Sequence, residues 1–209
     1  MFEMKRLRLF GFALPLAGSV ILLLSLLVGG ASGGSSNHLY QWDIIHLSTL
    51  PPPTTTLPGG MASACAAPSC ANMITLTGSG TFRSNPGHPQ DVTGGGTWTT
   101  VGAGAGSGTY EVTGFVSFVL APGFLPSPPF TDGVTGVAAD ARAGLAVLRI
   151  AYSDGDDGVL VISCDLPGGS PPTLFEGITA SKGFVDYWNR VAPESSAPFG
   201  NRTAFHEIH

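Results

Sequence analysis

The stretch FEGITASKGFVDYWNR, Phe175 to Arg190, gathers Glu176, Lys182, Asp186, Tyr187 and Arg190 in a chain of which only 11% is charged. If Glu176 and Lys182 share a strand face, a carboxylate and an ammonium meet over a pocket, and the Tyr187 phenol can donate a proton there. These three are the candidates for chemistry, and none is assigned a catalytic role. The preferred reading is an ion pair that caps one end of a β-structure, because structural pairs collect charge in the same way. Arg149 and Asp165 form a second possible buried pair: both lie inside strongly apolar stretches, where a charge needs a partner.

Other constellations fail on their context. GASGG, Gly30 to Gly34, has the spacing of a nucleophile elbow but no preceding strand. HEIH, His206 to His209, is one residue short of a zinc motif, and in a strand its two imidazoles point to opposite faces. DGDDG, Asp154 to Gly158, has Val159 where a calcium loop needs glycine, so it reads as a solvated turn. Cys65 and Cys70 flank AAPS and form a possible disulfide, the rival pairing being Cys164 with either one. Three cysteines without a fourth ligand in register argue against zinc. No metal and no cofactor is expected.

TGSGTF, GGGTWT and AGSGTYEVTGF, starting at Thr77, Gly94 and Ala105, repeat a Gly-x-Gly-Thr-aromatic unit. A phosphate loop needs a lysine that is absent, and a dinucleotide fingerprint needs a glycine spacing and a following helix that are also absent. The units are expected to be structural corners. Glycine supplies a turn or bulge, and Phe82, Trp98 and Tyr110 open strands with a side chain for the core.

The elements that carry these residues read as β from Met73 onward. In TYEVTGFVSFVL the even positions Tyr110, Val112, Val116, Phe118 and Leu120 are apolar, the alternation of a half-buried strand. GLAVLRIAY and GVLVISCDL flank SDGDD as a hairpin. ITASKGFVDYWNR is ambiguous between helix and strand. The expected fold is all-β, a small antiparallel β-barrel or β-sandwich built as a meander with Gly-rich corners, preceded by an N-terminal hydrophobic helix.

The case for that helix is Lys5, Arg6 and Arg8 ahead of an uncharged stretch, residues 9–28. Its length suits a transmembrane anchor, whereas Pro15 and the small residues around Ala31 suit a cleaved signal peptide. Either way, positive charge before the segment sends the rest of the chain outward. The expected organisation is signal or anchor over 1–30, a Gly/Ser- and Pro/Thr-rich linker over 31–60, and an extracytoplasmic β-domain over 61–209. Within the linker, NHLYQWDIIHL is expected to pack onto the domain as an extra strand or helical turn, in preference to lying at the membrane interface through Tyr40 and Trp42.

Removing Glu3, Lys5, Arg6 and Arg8 from the 14 acidic and 9 basic residues leaves 13 against 6, an acidic domain with Lys182 as its one lysine. Nucleic acid is therefore excluded as a partner. The leading expectation is a non-catalytic binding or accessory subunit of a cell-envelope assembly, with a protein partner there and the membrane as a further partner if residues 9–28 stay uncleaved. The alternative is a carrier or isomerase-like enzyme that holds a small apolar ligand in the barrel near Glu176, Lys182 and Tyr187. Asn201-Arg202-Thr203 is a glycosylation sequon.

Overall fold

The computed structural model describes residues 37–49, 52–196 and 198–209. The apolar segment 9–28 and the Ala31 region lie outside them. The described chain forms fourteen strands in one sheet. They are β1 Leu39–Ser48, β2 Thr54–Pro58, β3 Ala62–Cys65, β4 Met73–Leu76, β5 Ser79–Arg83, β6 Val92–Val101 and β7 Gly106–Ala121. After these come β8 Phe130–Asp132, β9 Ala141–Tyr152, β10 Asp157–Cys164, β11 Gly177–Lys182, β12 Val185–Tyr187, β13 Asn189–Arg190 and β14 Phe199–Ile208.

Six of these close a barrel in the order β9, β14, β1, β5, β6, β7 and back to β9, with every pairing antiparallel. The alternation in LYQWDIIHLS explains why β1 sits at its centre. Tyr40, Trp42 and Ile44 join the main core, while Asp43 and Ile45 are buried on the opposite face. On that outer face Ile45, Leu47 and Ala204 form a second cluster with Val134 and Phe199, and β2 pairs beside β1 with β8 parallel to β2. Thus β1 and β2, both within the stretch expected to be linker, are strands of the sheet, and the folded unit starts before residue 61. Beyond the barrel the sheet continues from β9 through β10, β11 and β12, and from β6 through β4, β3 and β13. The two wings meet where β11 packs on β3.

Rings fill the barrel. Tyr40 and Phe118 stand on strands that do not pair, β1 and β7, and their centroids are 4.7 Å apart, so the contact spans the interior. Phe82 touches Tyr40, Phe115, Phe118 and Phe205 at 5.1 to 6.0 Å. Among the described residues, these side chains fill the barrel interior at this level.

The Gly-Thr-aromatic units sit side by side in β5, β6 and β7, and Phe82, Trp98 and Tyr110 are all buried. Their glycines permit close strand approach within the sheet. A Cβ on Gly94, which has φ +110°, would lie 2.2 Å from the Ser79 carbonyl oxygen, and the facing Gly80 is equally crowded. The Tyr110 hydroxyl donates to the Thr77 carbonyl at 2.8 Å, tying the first unit to the third.

One expected alternation is overturned. In β7 the register against β9 shifts between Val112 and Gly114 and again between Phe115 and Ser117. Each bulge adds a residue to one strand and reverses the faces after it. Phe115 therefore joins the core and Val116 is exposed; the second shift restores the original faces, so Phe118 packs against the core again, while Leu120, near the strand's end, is exposed. The ambiguous ITASKGFVDYWNR is strand, supplying β11 and β12 around a turn at Gly183.

Candidate functional site

The three candidate residues do not converge. Glu176 immediately precedes β11 and Lys182 ends it, so the strand holds them apart. Lys182 instead donates to Asp154 and Asp156 from the β9–β10 turn and lies 4.4 Å above the Trp98 ring. Burial alone would lower its pKa, but the two carboxylates outweigh that and raise it. Tyr187 is buried opposite Ala180, and burial raises its phenol pKa. Lys182 is therefore ion-paired with the aspartates of the DGDDG turn rather than with Glu176.

Glu176 stands alone in a different setting. Its Oε2 accepts the Asp165 N–H and its Oε1 the Thr203 N–H, each at 2.6 Å, so one carboxyl joins the end of β10 to β14. Burial pushes its pKa up from 4.5 to about 8, more than these hydrogen bonds and the nearby Arg202 charge pull it down. It is therefore a mostly neutral acid at pH 7. It lines a cleft of about 310 Å³ between the outer face of β1 and β14 and the loops before β8 and β11. The walls are Ile45, Leu47, Leu125, Phe130 and Leu166, with Thr56, Thr203 and Arg202 among the polar groups. The Arg202 Nε is buried without a hydrogen-bond partner, and among the described residues its guanidinium makes no ion pair.

A cluster the sequence did not announce lies nearby. Asp132 ends β8 and accepts hydrogen bonds from Thr56 Oγ1 at 2.9 Å, Thr135 Oγ1 at 2.6 Å and the Val134, Thr135 and Val137 N–H groups. Its Oδ2 is 3.2 Å from His206 Nε2. Burial opposes ionisation of Asp132, but the donors and His206 prevail and bring it down to about 2. Asp43 is buried beside them and held by Gln41 Nε2, and burial raises its pKa despite that bond and His206. An aspartate and a histidine in contact resemble half of a nucleophilic relay, but the other imidazole nitrogen, Nδ1, is buried without a partner and no hydroxyl reaches it. The arrangement pins the loop after β8 onto β14. His206 was legible as part of the HEIH near-motif and Asp43 only as part of a segment packed on the domain, whereas Asp132 carried no local signal.

The remaining candidates resolve individually. Arg149 faces Val159 within the hairpin, whereas Asp165 lies past its far end, beyond the Cys164–Gly144 pair. Both are exposed and they do not meet, which corrects the expected buried pair. The apolar residues around Arg149 face the core on alternate positions and leave its own position to solvent. Cys65 and Cys70 are bonded, with Cα atoms 4.9 Å apart, and Cys164 is free and buried, its thiol pKa pushed up by burial. Asn201 is buried with φ +56°, and its side-chain oxygen accepts the Ser63 N–H at 2.9 Å. The sequon asparagine is thus committed to the fold. Searches found no matching family model, curated protein or solved structure for this chain.

The free edge of the sheet carries the second feature of functional interest. β12 ends the strand order. Phe184 and Trp188, both exposed, flank it; Val185 and Asp186 between them are exposed as well, while Tyr187 is buried in the core. Arg190 stacks on Phe175 at 5.2 Å beside them.

Proposed function

We propose that the chain is an extracytoplasmic, non-catalytic β-domain that serves as a binding or accessory subunit of a cell-envelope assembly and docks a protein partner along β12. The observation that carries this is the pair of exposed aromatic rings, Phe184 and Trp188, that flank the short edge strand β12 at the end of the strand order. Monomeric domains rarely leave large apolar side chains on an uncovered edge, and such edges accept an added strand. Residues 9–28 supply either the tether or a signal cleaved near Ala31.

A photoreactive residue placed at 184 tests the docking in intact cells. A discrete adduct is expected there and none at the exposed Gln90, and Phe184→Ser with Trp188→Ser should abolish binding of the captured partner while leaving the unfolding midpoint unchanged. Equal labelling at both positions refutes the docking edge. Topology is tested with a reporter fused after His209. Activity outside the cytoplasm is expected, and cytoplasmic activity overturns the localisation.

A further inference from the structure

The cleft beside Glu176 combines three things that a protein seldom leaves together without a ligand. It has an apolar floor, an arginine with no hydrogen bond or ion pair among the described residues, and a carboxyl whose two oxygens are fixed by backbone N–H groups. An unpaired guanidinium beside a cavity calls for an anion, and its planar fork suits a carboxylate. The volume lies at the lower end of small-molecule sites, which span about 300–1,000 Å³. We propose that the cleft binds a small organic carboxylate with a compact apolar body, its carboxylate between the Arg202 guanidinium and the Glu176 carboxyl and its body against Leu47, Leu125 and Phe130.

This site is separate from the β12 edge and survives or fails independently of it. Glu176 is neutral below about pH 8 because burial raises it, and in that form it has an O–H to donate. A ligand carboxylate is the acceptor, and Arg202 balances the charge. The other charged or titratable groups nearby do not change this assignment. The exposed Asp165 carboxylate lies at the rim, Arg190 donates to the Glu176 main-chain oxygen at 3.4 Å, and the buried Cys164 thiol is held neutral. Above pH 8 Glu176 ionises and repels the ligand, so affinity must fall about tenfold per pH unit there. Between the ligand's own pKa and pH 8 it must be flat.

The test titrates the folded domain with octanoate and with 1-octanol by calorimetry. Octanoate is expected to saturate one site at least ten times more tightly than the alcohol and to weaken tenfold from pH 8.5 to 9.5. Arg202→Met should remove the preference for the acid while unfolding at the wild-type midpoint. Equal affinity for acid and alcohol, no saturation by millimolar octanoate, or an affinity flat through pH 9.5 overturns the proposal. Because the wild-type pH series needs no variant, a folding defect in Arg202→Met cannot shield it.

Discussion

Glu176 makes the stability of this domain depend on pH with a sign opposite to that of most carboxylates. Its pKa rises from 4.5 to about 8 on folding, so between those values the folded chain keeps a proton that the unfolded chain has released. The contribution is fully present below pH 4.5 and is lost as pH rises through 8. Each unit is worth about 1.4 kcal/mol, so the span amounts to roughly 5 kcal/mol, a large share of the 5–15 kcal/mol typical of a domain. Asp132 acts in the other direction: its pKa falls from 3.8 to about 2, and its contribution is lost as pH falls through that interval. Stability from these two groups therefore peaks near pH 4 to 5. Urea unfolding at intervals from pH 5 to 9 should show a midpoint that declines steadily up to about pH 8. Glu176→Gln should flatten the decline. At pH 5 the variant should be less stable by about 1–3 kcal/mol, because its amide cannot accept from both backbone N–H groups, and the gap should close as pH rises. A wild-type midpoint that is flat or rising from pH 5 to 8, or a variant with the wild-type slope, refutes the assignment of a buried neutral acid.

Three further outcomes rest on the packing. Alanine at Phe82, Trp98 or Tyr110 should cost about 3–5 kcal/mol each in denaturant unfolding, since all three are buried; unchanged stability would mean that these rings serve recognition. Lys182→Met should lower the melting temperature by no more than about 4 °C, with the difference shrinking in high salt, because its partners Asp154 and Asp156 are exposed. A larger, salt-independent loss would show that the ring contacts with Trp98 and Tyr152 dominate. Asp132→Asn should cost about 3 kcal/mol and open the loop at Val134–Val137 to proteases, since several donors converge on the carboxylate; full protection of that loop would remove the clamp role.

Period-two alternation exposed the strands but not their pairing. It placed Tyr110 and Val112 in the core correctly because a strand's faces are a local property. It failed at Val116 because a bulge is set by the partner strand, here β9, and leaves no mark in the bulged sequence beyond Gly114. Likewise β1 read as an appendage, since a ten-residue strand flanked by Gly/Ser and Pro/Thr runs has local composition typical of a linker. Its place at the barrel centre comes from β14, more than 150 residues away, and the pairing of first strand with last closes the barrel.

The same distinction separates the acid that sequence spacing found from the partner it assigned. Glu176 was conspicuous because charge is scarce here, but distance along a strand says nothing about which acid a lysine meets. Lys182 finds its acids across the β10–β11 pairing, in the DGDDG turn, while Glu176 at the other end of β11 makes no ion pair among the described residues. Left without a cation in contact, the carboxyl satisfies its oxygens on backbone N–H groups and holds its proton to about pH 8. Arg202, one residue before the Thr203 that donates to it, is left equally unpaired on the same cleft. The two residues most able to neutralise each other are thus near but not bonded. The buried, unpartnered Nε of Arg202 is the polar atom that the proposed carboxylate would satisfy.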